Sequence, residues 1–533
     1  MAGFDLRTTR RRLLGTGAAL TGSFALSNAA LGASGSERRF SRAAAQGVQY
    51  TGQIVIAIKQ NPAAAAKEAL ISAYQAEQPG VEIIWEDQNL DPIDYTSYLG
   101  TQFAAGDIRL DLVSANYLPT FQGYINFDQY RSSVNPYTDM PWEQDLDWDA
   151  SGTNASGERD LLTTRTVRMG WFYNKTLFAE AGVEPPANWS DFVEVCAQLD
   201  AAGITPIVAN YEWQVPQWLS EIHWDQYHVD WVETIRAQPG DWNFDPERDG
   251  NFTYDPTNPY LHNTFTYNVQ RFWQAIQDGV IRVDTPEVAE IARNMAQVYP
   301  RYATGDFFVI GDPYPAFLQQ QAAMMPDGSY TLNTLRQDLA SLSPERLEEL
   351  GIDASNVSTF EWGIFENPSM QGELVKSASR SVEGGAGEYV SIVEKSQEQT
   401  DMVVDFVRFW LSPAGYAPYL AAEADAPGFS PSGPPKIRGI VDPPDVAALF
   451  DLMTIMGTAE TEYYQIWTSG QSGDATTRQD LRGLFQSVLE EEITPEDYAQ
   501  QLQQYFTDNL DRFLELAGLT RADIDNPARR PGA

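Results

Sequence analysis

Apolar residues recur along this chain in two rhythms. Gly52–Ile58 is a β-branched run of the kind that fills a buried strand. After it, Asn61 and Pro62 carry the N-cap and first-turn signals of a helix. Ala66, Leu70, Ala73 and Tyr74 share one face of that helix until Pro79-Gly80 stops it. Val81–Trp85 is a second strand; Tyr95, Tyr98, Leu99 and Phe103 mark a second helix closed by Gly106. Asp111-Leu112-Val113 opens a third strand that ends at Asn116-Tyr117. Strands and helices alternating at this spacing predict a parallel, doubly wound α/β sheet. Ligands of such sheets sit beyond the C-terminal strand ends, which here offer Lys59, Gln60, Asn61, Asn116 and Tyr117.

The middle of the chain is punctuated as clearly. Met169–Tyr173 reads as a short apolar strand, Asn174 as the cap of a helix over Lys175–Ala181, and Gly182 as its left-handed stop. Pro185-Pro186 forces an extended turn, and Ser190 caps a longer helix with Phe192, Val195, Cys196 and Leu199 on one face. Trp213, Trp218, Trp224, Trp231 and Trp242 then crowd one segment, with Trp224, Tyr227, His228 and Trp231 at helical spacing. Two readings stand: these rings pack a helix onto a core, or some form a stacking wall for a ligand with flat apolar faces and polar edges. Trp213 follows a strand and carries Asn210 and Glu212 beside it, so it is the preferred stacking candidate. Tyr314 precedes a helix bearing Phe317 and Leu318, and Trp362 closes a strand running from Ser358. Gly384-Gly385-Ala386-Gly387 lets backbone approach a ligand closely. Val403, Phe406, Val407, Trp410 and Leu411 form a core helical face, and Thr494 with Asp497 opens a closing helix as a near capping box.

Composition narrows the partners. Against 35 Lys+Arg stand 74 Asp+Glu in 533 residues, a net charge of -39 that excludes nucleic acid and anionic membrane surfaces. Residues 1–33 read as an export signal, with Arg10-Arg11-Arg12 before a small-residue apolar run, resembling the twin-arginine type; residues 34–49 read as a flexible tether. The alternative for that run is a membrane anchor. The one cysteine, Cys196, allows no internal disulfide and leaves none after the signal for a lipid, so no lipoprotein is expected.

Several pieces together resemble the extracellular solute-binding proteins of ABC importers, in the maltose-binding-like, sugar-type branch (family 1). They are Gly52–Ile56, Ala73–Glu82, Phe103–Val113, the stretch Gly170–Phe192, Gln320–Tyr330, Gly384–Pro413 and Leu489–Tyr498, in the right order over about 50–515. The family's Pro-Asp before the third strand is Leu110-Asp111 here, and the Trp of its Gly-Ser-Trp is Tyr330. The surplus length lies between Trp213 and His262, and a second insertion is expected between Asp139 and Asp160. The resemblance implies a type II periplasmic-binding-protein fold: two doubly wound lobes joined by a hinge, with a ligand cleft between them. Lobe one would be 50–165 plus 388–426 and lobe two 166–387 plus 436–520. The crossovers would lie near Thr163–Arg168, near Gly384–Gly387 and in the Pro/Gly-rich 427–435, with 521–533 a C-terminal tail. Implied ligand residues are Gln60, Asn61, Asn116, Tyr117, Trp171, Tyr173, Asn210, Trp213, Tyr314, Tyr330, Trp362, Gly384 and Gly385. Implied partners are a sugar or oligosaccharide and the membrane permease subunits, with no cofactor, for an extracytoplasmic monomer.

Other chemistry is thin. His223, His228 and His262 make no zinc motif, and no nucleophile elbow occurs. Asp145-x-Asp147-x-Asp149 and Asp245-x-Glu247-x-Asp249 resemble the start of calcium loops, but each lacks a required closing position. Two functions remain: a binding protein that closes on a sugar, or on another solute, and a secreted carbohydrate-active enzyme.

Overall fold

The computed structural model describes residues 48–531 apart from 88–91, 105, 107, 116–120, 122, 152–153, 155–157, 427, 455–456, 460 and 469–474. The signal segment, almost all of the tether, and Asn116 and Tyr117 lie outside the described residues.

Strands β1 (Gly52–Ile56), β2 (Val81–Trp85) and β3 (Leu112–Val113) alternate with helices α1 (Ala64–Glu77) and α2 (Pro92–Ala104). β1 pairs in parallel with β2 on one side and β3 on the other. Parallel pairing ends there, because β9 (Glu383–Ile392) lies antiparallel to β3, with Leu112 opposite Ile392. A small hairpin, β4 (Val134–Asn135) with β5 (Met140–Pro141), stands apart. The strand expected at Met169–Tyr173 is the outer half of a 13-residue strand, β6 (Leu162–Asn174). Its first half pairs antiparallel with β9, and its second half with β7 (Met324–Gly328) and β8 (Trp362–Phe365). One mixed sheet of order β2-β1-β3-β9-β6-β7 results, with β8 also on β6.

β6 and β9 are therefore the two long strands that pass from the first α/β half to the second. Register shifts on either side of Arg165 bend β6 there, as bulges do. A third segment runs beside them: Pro435 bridges Arg165, and the Lys436 N–H donates to the Thr164 carbonyl at 2.8 Å. Gly433 permits this approach, since a Cβ there would sit 1.8 Å from the Thr166 carbonyl oxygen.

Local signals were obeyed where they were self-contained. The Asn174 side chain accepts from the Thr176 and Leu177 N–H groups, and Gly182 ends α3 (Lys175–Ala181) at φ 70°. Thr494 and Asp497 form a full capping box on the helix Pro495–Asp508. Two caps differ from expectation. Asn188, not Ser190, caps α4 (Trp189–Ala201), because its side chain reaches the Asp191 N–H. α1 begins only at Ala64, and Asn61 caps nothing; its side-chain oxygen accepts from Lys67 Nζ at 3.2 Å. The strand expected to close at Trp362 instead opens there, as β8. Part of the expected C-terminal tail is tied to the body: Gln270 Nε2 donates to the carbonyls of Asp523, Asn526 and Arg529.

The Trp-rich segment is mostly core. α5 (Ser220–His228) is buried throughout. The Trp224 ring stacks on Trp467 at 6.2 Å between centroids and meets Trp231 edge-on at 6.1 Å. Behind them, fully buried Asp225 sits 2.7 Å from His262 Nε2 and 2.6 Å from Arg380 Nη1. His262 Nδ1 lies 2.5 Å from the Tyr463 hydroxyl, and Arg380 also donates to the Pro256 and Asn258 carbonyls. This polar knot ties the Trp-rich segment to the strand approach at Arg380 and to the helix Glu462–Thr468.

Candidate functional site

A cavity of about 240 Å³ opens where the three crossing segments meet the first half of the sheet. One wall is the turn after β1, with Gln60 and Asn61. Another is the helix Pro413–Ala424, with Tyr416, Tyr419 and Glu423. Its floor is Arg165 of β6 and Glu388 of β9, and Phe429 and Ser430 of the third segment close it. The position follows from topology. The Lys59 N–H donates to Ser114 Oγ at 2.9 Å, so the ends of β1 and β3 emerge together. β9 runs antiparallel to β3, which brings Glu388 to that same edge.

Arg165 is held on every side. Its Nη1 and Nη2 grip Asp442 at 3.0 and 2.7 Å, Nη1 donates to the Gly433 carbonyl at 2.6 Å, and Nε donates to the Tyr416 hydroxyl at 3.2 Å. Both ion-pair partners are buried, at 2% and 1% exposure. A fork bound bidentately in this way is fixed in direction as well as charge. Glu423 accepts from the Ala63 N–H at 2.9 Å. Burial raises its carboxyl above the usual range; the Ala63 bond opposes this and the Glu388 charge adds to it.

A second cluster adjoins the cavity through Ser430, whose hydroxyl donates to the Tyr330 carbonyl and whose oxygen meets Thr334 Oγ1 at 2.8 Å. Tyr330 follows β7, and its hydroxyl donates to Asp327 at 2.6 Å. Thr331 Oγ1 donates to the other oxygen at 2.6 Å, and Gln214 Nε2 approaches at 3.5 Å. Asn210 stands on the same edge, since the Val208 N–H donates to the Met324 carbonyl and Gln214 Oε1 accepts from the Asn210 N–H. The Asn210 side chain accepts from the Trp213 N–H and donates to the Ile310 and Gly311 carbonyls. Trp213 itself is half-buried, edge-on to Trp218 at 4.7 Å.

Burial pushes the Asp327 carboxyl up to about 6, against the opposing bonds from Thr331, Tyr330 and Gly328. A folded-state value above the unfolded one means the folded protein binds the proton more tightly. The stability from that proton is complete below the ordinary carboxylate range and is lost as pH rises through about 6. Melting curves are therefore expected to lose midpoint between about pH 4 and pH 7, and Asp327→Asn should flatten that decline. An unchanged slope in the variant would assign the titration to another group.

The sequence candidates thus separate into groups. Gln60 and Asn61 line the cavity; Trp213 and Tyr330 gather at the neighbouring edge, while Asn210 beside them is withdrawn, 1% exposed with its amide spent on Trp213, Ile310 and Gly311. Gly384 lies in β9 opposite Val167, with Gly385 next to it. Trp171 is withdrawn from any ligand: it is 1% exposed, stacked on Phe365, with its N–H donated to Asn367. Tyr314 is likewise buried, its hydroxyl spent on Asp338 at 2.7 Å. Tyr173 and Trp362 sit at the far end of β6, where Tyr173 pairs with Met324 and Asn174 with Trp362, whereas Met169 faces Gly328 at the hinge end. Arg165, Glu388, Tyr416, Tyr419, Glu423 and Asp327 were not singled out from the sequence. Arg165 falls inside an expected crossover and Glu388 borders another, which was the available signal for those two.

Neither acidic loop resembling calcium ligands is open. Asp145 accepts from Asn135 and Thr138, and Asp249 accepts from the Asp245 and Thr266 N–H groups. Among the described residues no group of three His, Cys, Asp or Glu side chains is arranged to hold a metal. No described helix is long and apolar enough to cross a membrane. Cys196 is buried, and burial raises its thiol.

Comparison with known proteins is consistent with this architecture. The family model described as bacterial extracellular solute-binding protein matches residues 57–417. No curated protein matches the chain by sequence. Among solved structures, a chitin oligosaccharide binding protein is similar at TM-score 0.56 and 16% identity, covering 86% of this chain and 98% of its own. The unliganded RafE of Streptococcus pneumoniae is similar at 0.53 and 16%, covering 87% and 99%. The cyclic alpha-maltosyl-1,6-maltose binding protein of Arthrobacter globiformis is similar at 0.53 and 15%, covering 87% and 100%. At these identities the likeness is one of fold, the two-lobed type II periplasmic-binding-protein fold.

Proposed function

The chain belongs to the bacterial extracellular solute-binding protein family, and from that premise we propose that it captures a sugar or oligosaccharide by hinge closure and hands it to the membrane permease of an ABC-type importer. Membership places its work outside the cytoplasm. The export route in this reading is the twin-arginine-like segment around Arg10–Arg12, without a lipid anchor, and the working form is a monomer.

The observation that carries the reading is the position of the cavity. Its walls belong to the β1 turn, to both long strands and to the third crossing segment, which are the parts that change relation when two lobes rotate about a hinge. A ligand seated there touches the first half through Gln60 and Asn61. It reaches the second half across Ser430 towards Tyr330 and Trp213. Only the closed arrangement gains all of these contacts, so ligand shifts the equilibrium towards closure by its differential affinity. The half-buried Trp213 face and the hydroxyl groups beside it suit pyranose rings, which present apolar faces and polar edges.

Purified protein screened against oligosaccharides is expected to show a raised melting midpoint with intact sugar recovered afterwards. Recovery of cleaved glycan would overturn the importer reading in favour of a carbohydrate-active enzyme. Trp213→Ala is expected to weaken binding by about 1–3 kcal/mol, the scale of truncating a stacked anchor, while Trp362→Ala at the far end of β6 leaves affinity unchanged. Calorimetry with the two variants reversed in rank would move the site along the sheet.

A further inference from the structure

Resting on the solute-capture reading, we infer that the solute carries a positive charge, an ammonium group such as that of a de-acetylated amino sugar, and that Glu388 and Glu423 receive it in the hinge cavity.

The charge balance of the cavity is the ground for this. One guanidinium, Arg165, faces three carboxylates: Asp442, which takes both of its Nη groups, Glu388 at 3.8 Å from its Nε, and Glu423 across the cavity. Lys67, the other cation nearby, is ion-paired to Asp87 and bonded to Asn61. Glu423 has one backbone donor, from Ala63, and Glu388 receives only long contacts of 3.4 Å from Ser432. Two acceptor-only groups thus border an open volume with acceptor capacity to spare for a guest's donors. An ammonium brings three N–H donors and a compensating charge; a neutral hydroxyl brings the donors alone.

The remaining lining suits the same guest. Tyr419 and Phe429 are among the lining residues, and aromatic side chains attract cations through their quadrupole. Burial, and after it the Glu388 charge, displace the Glu423 carboxyl upward against the Ala63 bond, Lys67 and Arg165, and a bound cation would lower it. At long range, a chain of net charge -39 draws cationic solutes and repels anionic ones.

The test is calorimetry of the full chain with the fully de-acetylated glucosamine trimer, its N-acetylated counterpart and spermidine, at about pH 6 where amines are protonated. The de-acetylated trimer is expected to bind roughly tenfold more tightly than the N-acetylated one, by an advantage that shrinks with added salt. Glu423→Gln and Glu388→Gln, near-isosteric changes, should each narrow the ratio between the de-acetylated and N-acetylated trimers, and an unchanged ratio in both variants would overturn the assignment of these two carboxylates. Equal or tighter binding of the N-acetylated trimer would overturn the charge inference and leave sugar capture standing. Binding of spermidine with neither trimer would do the opposite, supporting the charge and overturning the sugar. Silence from all three probes would overturn the inference.

Discussion

Arg165→Met is expected to destabilise the protein by about 3–5 kcal/mol, the cost of leaving a buried charge without its partner. Asp442 is 1% exposed and both of its oxygens point at the Arg165 fork. With the guanidinium gone, the Gly433 carbonyl loses its 2.6 Å donor and the Tyr416 hydroxyl loses another. No water-facing rotamer rescues Asp442, because the third crossing segment lies directly on β6 at Gly433. Denaturant midpoints at fixed protein concentration measure the loss. The double change Arg165→Met with Asp442→Leu should recover most of it, since an apolar pair of similar volume removes the uncompensated charge. A single variant as stable as the parent would mean that the pair is solvated. The same variant should also lose ligand affinity, since these bonds join β6 to the third crossing segment at the floor of the cavity.

Asp225→Ala is expected to cost a similar amount, about 3–5 kcal/mol, at a distance from the cavity. Its carboxylate is fully buried and accepts from both His262 and Arg380. Burial alone would raise its pKa, but its interactions with His262 and Arg380 outweigh burial and hold it below the ordinary range. Because the folded-state value is depressed, this contribution is present above the unfolded carboxylate value and is lost as pH falls through the folded one. The variant should therefore be least distinguishable from the parent in acid and most so near neutrality. Asp225→Asn retains one acceptor and should lie between the two. If oligosaccharide affinity of the still-folded variant fell as far as its stability, the knot would be coupled to the hinge rather than confined to the second half.

Much of the first half was legible in order. The β1-α1-β2-α2-β3 alternation needs only periodicity and stops, and the caps at Asn174, Gly182 and Thr494 satisfy donors within three residues of themselves. The inner half of β6 was not legible as strand. Leu162-Thr163-Thr164-Arg165-Thr166-Val167 has neither apolar continuity nor alternation, yet every one of these residues is buried. Their neighbours explain it. β9 covers one edge, the 433–437 segment lies against Thr164–Thr166, and the polar groups find partners such as the Glu388 carbonyl for Thr164 Oγ1 at 3.1 Å. A hydrophobicity pattern cannot register a strand whose burial is polar.

Trp171 left the candidates for a related reason. Trp171 and Trp362 look alike in a sequence, each in an apolar strand. Whether such a ring faces core, cleft or the far end depends on which strand lies beside it, and β7 and β8 come from more than 150 residues downstream of β6. Trp213 is set by local contacts instead: among the described residues no strand leads into it, only isolated bridges at Ile207, and its N–H donates to the Asn210 side chain three residues back.

By itself the sequence determined the family and the α/β class through ordered motifs, and the helix ends at Asn174, Gly182 and Thr494 because those depend on contacts within a turn of chain. Only the tertiary structure decided the site. Arg165 meets Asp442 across 277 residues of chain and Gly433 across 268. Glu388 and Glu423 share one cavity because an antiparallel strand and a later helix converge on the β1 turn. Charge compensation is a property of such distant pairs. The chain order lists which groups are present, and only the folded path says which of them still lack a partner.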